Sequence, residues 1–354
     1  MILALIIAAA GGWLASLADI PLPWMLGAIG ATLIAALARL PVASPRPLTL
    51  PMRAVLGVLL GASITPELLA QLSALGFAFL AVPLYVIITA GLGLFYFIAI
   101  AKMDRSEAFF AALPGGLYTM VTFAEDLGIS IRRLGLIHTM RVTLIVLLLP
   151  FVIEGLLGQD LTQTLTGGKS IMEMAPPTLG VMLVIALAGW WLAERTKLPG
   201  GIMIIPMLIT AALQLAGMTS AAVPTELVII AQVVLGASIG GRFIDLEMRE
   251  ITNALVHSCG YVALALAVTT LTALVLSATT PVSLWAGIIA FAPGGLAEMS
   301  LVALGLGLNV GFVVTIHISR ILFVVLTGPV VYRLVERRLQ KQEASKTPPS
   351  QSTD

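Results

Sequence analysis

Two arginines lie deep in apolar runs of the sequence, Arg141 in LGLIHTMRVTLIV and Arg320 in VVTIHISRILFVV. Each follows a histidine by three residues, His138 and His317, a spacing that puts both side chains on one helix face. A guanidinium is permanently charged and forked, which suits a carboxylate or phosphate. An imidazole changes charge near neutral pH and can carry a proton. An arginine at the centre of a membrane helix costs roughly 2.5–3.5 kcal/mol, so it calls for a partner or a water-filled cavity. Contact with a substrate or a coupling ion is one reading of Arg141 and Arg320. Structural pairing with Glu298, Glu125 or Asp126 is a second, and snorkelling to the interface a third. Glu298 also stands in an apolar segment, where it is a candidate for proton or cation coupling. Glu125 and Asp126 are expected nearer the rim, in water.

Both arginines close a duplicated stretch. Pro114 to Arg141 returns at Pro293 to Arg320, 179 residues later and without a gap, and 11 of the 28 positions are identical. Thr119 takes the place of Glu298 in the first copy. Each copy opens with Pro-Gly-Gly, and proline and glycine together break a helix. Freed backbone groups in lipid cost several kcal/mol, so such a break survives only inside protein or beside water. The functional reading is that Gly115, Gly116, Gly294 and Gly295 expose amides and half-helix ends that bind a substrate. The plainer reading is a packing kink.

The composition tells what surrounds these residues. Of 354 residues, 59% are hydrophobic and 10% charged, and mean hydropathy is +1.05. Soluble domains carry about 25% charged residues. The chain is therefore expected to be all-α and to cross a membrane many times. Its net charge of +1 draws it to no nucleic acid, and its single cysteine, Cys259, excludes an intrachain disulfide and a cysteine metal cluster. No phosphate-binding, dinucleotide or zinc motif is present, so no cofactor and no enzymatic reaction are expected. The first residues resemble a signal-peptide core but lack a basic start, and read as a retained helix.

Apolar runs predict helices over about 2–17, 24–38, 52–65, 75–101 and 134–153 in the first half. The second half repeats them at 179–193, 201–216, 226–241, 254–277 and 310–333. The Pro-Gly-Gly segments cover 106–124 and 284–304. Pro51 and Pro66 are expected to bound a helix of about 14 residues, short for a crossing of about 20. Gly57-x-x-x-Gly61 and Gly236-x-x-x-Gly240 read as close-packing faces. The organisation is a first repeat at 1–156, a linker at 157–177, a second repeat at 178–337 and a disordered cytoplasmic tail at 338–354.

Charge in the loops sets the topology, because basic loops stay on the cytoplasmic side. Arg39–Arg53, Lys102–Arg105 and Arg132–Arg133 are basic, and their counterparts in the second half are not. Arg195–Lys197 and Arg242–Arg249 are basic, and their first-half counterparts are not. The halves are thus expected to be inverted. Inversion requires an odd number of crossings per half. Both flanks of the first Pro-Gly-Gly segment are basic and both flanks of the second are neutral. Each repeat is therefore expected to have five crossing helices plus one broken re-entrant hairpin, with both termini cytoplasmic.

The Leu-Gly-Ala-Ser blocks at 60–63 and 235–238, Pro-Gly-Gly-Leu, Ile-His-x-x-Arg, and Leu-Pro at 22–23 and 198–199 resemble the AbrB-type membrane proteins of proteobacteria. The resemblance covers about residues 5 to 337. Members are often labelled regulators of gene expression or ammonia monooxygenases. The family is also similar to inverted-repeat transporters such as cation/proton antiporters, bile-acid symporters and auxin carriers. It brings no ligand residues to carry over. The expected activity is secondary transport of a small organic anion across the bacterial inner membrane, coupled to protons or sodium. Arg141, Arg320 and the four glycines would bind substrate, and His138, His317 and Glu298 would serve the coupling ion. A membrane regulator acting through a partner is the alternative, and a membrane monooxygenase a weaker one. The expected partners are the lipid bilayer and a small anion, without nucleic acid and with homodimerisation left open.

Overall fold

The computed structural model describes residues 1–64, 66, 76–115, 129, 131–157, 169–196, 198, 200–219 and 223–346; for residue 131 and residues 335–346 it describes the backbone. Among the described residues there are thirteen α-helices and no strand. The first half holds α1 (Ile2–Leu17), α2 (Pro23–Leu37), α3 (Arg46–Ala62), α4 (Gly76–Ala99), α5 (Arg105–Ala112) and α6 (Ile131–Leu157). The second holds α7 (Pro176–Thr196), α8 (Gly201–Leu215), α9 (Thr225–Gly240), α10 (Met248–Thr279), α11 (Leu284–Phe291), α12 (Leu296–Gly305) and α13 (Val310–Lys346).

Six helices are long and apolar enough to cross a membrane: Gly76–Ala99, Arg132–Leu156, Pro176–Thr196, Thr225–Phe243, Met248–Thr279 and Val310–Leu334. Their outward faces carry bare apolar side chains, among them Leu80, Ile87, Phe95 and Leu326. A surface of that kind belongs in lipid. At about 1.5 Å per residue, the 15 or 16 residues of α1, α2 and α8 fall short of a hydrocarbon core of about 30 Å.

Three expectations are corrected. The third helix is not bounded by Pro51 but begins at Arg46 and contains it. Pro47 is the second residue of the helix, where a missing N–H is harmless, and the bond lost at Pro51 is confined to the turn above. The last helix does not end near 333 but runs to Lys346, so residues 338–346 are helical rather than disordered. The linker is shorter at both ends, because α6 reaches Leu157 and α7 starts at Pro176.

Contacts cross between the halves in matching pairs. α3 packs on α8, while α9 packs on α2. A β-carbon at Gly57 or Gly61 would collide with Met203 O or Met207 O of α8. One at Gly236 or Gly240 would collide with Met25 O or Ile29 O of α2. The glycine faces found in the sequence are therefore helix-packing surfaces. Likewise α6 packs on α10 and α13 on α4. Helices α4 and α10 meet each other antiparallel. Tyr85 touches Thr269, and eight residues further along α4 a β-carbon at Gly93 would collide with the ring of Tyr261.

Helix α5 starts at one end of the bundle, while α11 starts and α12 finishes at the other. Glu107 of α5 and Arg133 of α6 form an ion pair at 3.3 Å, and Arg132 pairs with Glu250 of α10 at 2.8 Å. Tyr332, near the end of α13, meets Ser106 at 3.0 Å. These groups mark one end. α10 runs from there to Thr279, and α11 turns back along it, with Gly287 against Ala273. α12 then returns to the far end, because α13 starts there at Val310, passes the break at Arg320 and goes on to Tyr332. At 8 and 10 residues, α11 and α12 each reach only about half of the bilayer.

Buried arginines at two helix breaks

The carbonyl groups at the end of a helix have no partner within it and carry the negative end of its dipole. In this structure two such ends are buried, those of α5 and α11, and an arginine reaches each. Arg141 donates through Nη1 to Leu113 O at 3.1 Å and through Nη2 to Gly115 O at 3.5 Å. Arg320 donates through Nη1 to Phe291 O at 3.0 Å and Ala292 O at 2.8 Å, and through Nη2 to Gly294 O at 3.5 Å. Leu113 and Ala292, like Gly115 and Gly294, are 179 positions apart. The duplicated motif is thus one device built twice: a break, and a cation that satisfies the carbonyls the break releases.

Both guanidinium groups are closed off, at 3% exposure, and the Nε of each has no hydrogen-bond partner. Among the described residues neither arginine forms an ion pair. The pairing with Glu125 or Asp126 lies outside the described residues, as does Gly116. Glu298 is described and does not pair with Arg320. It stands in the first turn of α12, 8% exposed, with its carboxylate folded over the backbone of Gly295, the residue that precedes that helix.

The histidines differ between the copies. His138 Nε2 lies 3.0 Å from Phe110 O, so it binds the same helix end as Arg141. His317 Nδ1 turns instead to Val313 O of its own helix at 3.1 Å. Both are fully buried, and the second ring nitrogen of each is without a partner.

Two tyrosines at this centre were not singled out in the sequence. Tyr261 donates to Ala112 O at 2.6 Å and stacks obliquely on Phe97 with centroids 5.0 Å apart. Tyr85 packs edge-on against Phe291, centroids 5.2 Å apart, with its hydroxyl 3.2 Å from Thr269 Oγ1. The site is therefore a fully buried group of two arginines, two histidines and two tyrosines around two helix ends. It carries positive charge, and each guanidinium keeps an Nε–H donor without a partner among the described residues. Among the described residues no three His, Cys, Asp or Glu side chains converge as metal ligands.

A sequence model described as transition state regulatory protein AbrB matches residues 24–336. "Uncharacterized protein YhjN" of Bacillus subtilis (strain 168) is 30% identical, over 93% of this chain and 91% of its own length. "Putative regulator AbrB" of Escherichia coli (strain K12) is 23% identical, over 92% of this chain and 93% of its own length. No solved structure matches the chain.

Proposed function

This chain belongs to the AbrB family, and on that premise we propose that it is an inner-membrane carrier of a small organic anion, coupled to protons or sodium. The observation that carries the reading is the pair of buried arginines without a carboxylate partner among the described residues. Buried charge is costly unless neutralised. A carboxylate arriving between the two breaks would supply the neutralising charge, and the Nε groups offer donors to it.

The reading takes the halves as inverted repeats of five crossings and one hairpin, with both termini cytoplasmic. The antiparallel meeting of α4 and α10 and the exchanged packing of α2, α3, α8 and α9 support it. So does the Glu107–Arg133 pair, which ties together the two flanks of the first break. Arg141 and Arg320, with the amides of Gly115, Gly116, Gly294 and Gly295, are the substrate-binding groups of this reading. Glu298 and the two histidines are the groups through which a cation or proton is coupled. No chemical step is assigned to the protein.

A regulator that acts through a partner and moves nothing is the second reading, favoured by the names of the family and of the Escherichia coli relative. An oxygenase would require bound copper or iron in the purified protein. A thermal-shift screen of small carboxylates on purified protein decides first, since a ligand raises apparent stability by mass action. A carboxylate that stabilises the wild type but not Arg141→Gln or Arg320→Gln, and that enters liposomes with the protein, supports the carrier. No stabilisation and no flux would leave the regulator.

A further inference from the structure

The two breaks are held differently, and the difference follows the duplication. Thr269 and Tyr261 stand 176 positions after Gly93 and Tyr85, so the two tyrosines are counterparts on α4 and α10. Phe110 and Ala112 correspond likewise to Ile289 and Phe291, 179 positions later. At the first break, Tyr261 holds Ala112 O and His138 holds Phe110 O. At the second, neither counterpart bond is made. Tyr85 gives its proton to Thr269 Oγ1, whose own proton goes to Ala265 O, and His317 turns to Val313 O. Phe291 O is left to Arg320, which thereby spends a donor that Arg141 keeps.

We propose that Tyr85 and Tyr261 are positioning residues of an exchanging latch, each reaching from one half to the hairpin of the other, with one latch closed at a time. The proposal rests on the carrier reading and says which contacts change when access changes sides. In the opposite-facing state Tyr85 takes Phe291 O and His317 Nε2, now without a partner, takes Ile289 O. Arg320 then recovers a donor for the anion, while Tyr261 and His138 let go of the first hairpin. The sequence favours the state observed. Thr269 gives Tyr85 a place to rest, and its counterpart Gly93 leaves room for the ring of Tyr261 in the closed position. Tyr261 has no threonine at that place. One turn before Gly93, Thr89 carries a buried hydroxyl without a partner, the acceptor nearest in register for a released Tyr261.

The test uses full-length Cys259→Ser protein in vesicles, with one reporter cysteine at Leu113 or Ala292, the counterpart positions beside the arginines. Reaction with a membrane-impermeant maleimide is timed from each side. Tyr261→Phe keeps the ring and removes the latch; reaction at 113 should rise by roughly threefold to tenfold, the population change expected from one hydrogen bond. Thr269→Val should raise reaction at 113 and lower it at 292. In a Tyr85→Phe background Thr269→Val should do nothing, an outcome that a merely structural role would not produce. Unchanged rates in Tyr261→Phe and Thr269→Val, with anion uptake intact, overturn the latch and leave the carrier. Labelling of 113 and 292 from the same side of the bilayer would instead refute the inverted arrangement beneath both.

Discussion

Arg320 Nη1 lies 2.8 Å from Ala292 O, and its counterpart Arg141 Nη1 lies 3.1 Å from Leu113 O, so one hydrogen bond closes the same break in each half of the chain. The arginines are then structural before they are anything else. Each serves as the cap that the end of a short buried helix cannot find in lipid.

Loss of either arginine should therefore lower stability as well as any binding. A hydrogen bond from a charged donor is worth about 1.5–3 kcal/mol, and an orphaned buried acceptor adds to the loss. Arg320 serves three carbonyls and Arg141 two. Arg320→Ala should thus unfold at lower denaturant than Arg141→Ala in detergent. Lysine, with one compact charge and no fork, should restore little of either.

Glu298 makes the opposite prediction. Among the described residues its carboxylate makes no ion pair, so Glu298→Gln should fold with a stability close to wild type. If it couples a cation or proton, anion uptake by this variant should lose its dependence on the pH or sodium gradient. Uptake that still follows the gradient removes Glu298 from the coupling machinery.

The glycine faces can be tested by size alone. A β-carbon at Gly61 meets the backbone of α8, while one at Gly30 meets nothing within 4 Å. Gly61→Ala should cost about 1–3 kcal/mol, as over-packed sites do. Gly30→Ala should be neutral or slightly stabilising. Thermal unfolding of the two variants in the same detergent compares them directly.

How much of this was legible beforehand depends on the element. The duplicated Pro-Gly-Gly and Ile-His-x-x-Arg motifs located both breaks and both arginines, because those residues are too costly in an apolar chain to be there by accident. They did not tell that the arginines serve carbonyls; only the position of a helix end in space shows that. Tyr85 and Tyr261 carry no such signal, because a tyrosine in an apolar helix is not costly enough to stand out, although their offset of 176 is that of the two Leu-Pro pairs. The start of α3 was misplaced because Pro51 reads as a boundary in sequence. Prolines inside α4, α6, α8 and α13 show how readily the surrounding protein accepts them here. Pro150 and Pro329 are themselves 179 apart, an overlooked part of the repeat.

The exposed pairs that mark one end of the bundle should contribute little stability themselves. Arg132 and Glu250 have side chains 63% and 33% exposed, and such pairs are worth about 0–1 kcal/mol. Arg132→Ala should fold normally, so position 132 is open to a probe.

The central claim is that the first break enters and leaves by one face of the membrane. Single cysteines at Asp104 and Arg132, in a Cys259→Ser background, can be labelled with an impermeant maleimide in sealed right-side-out and inside-out vesicles. Reaction of both only in inside-out vesicles, where the cytoplasmic face is outward, is the predicted result. Reaction of the two in vesicles of opposite orientation would contradict the hairpin and the carrier built on it.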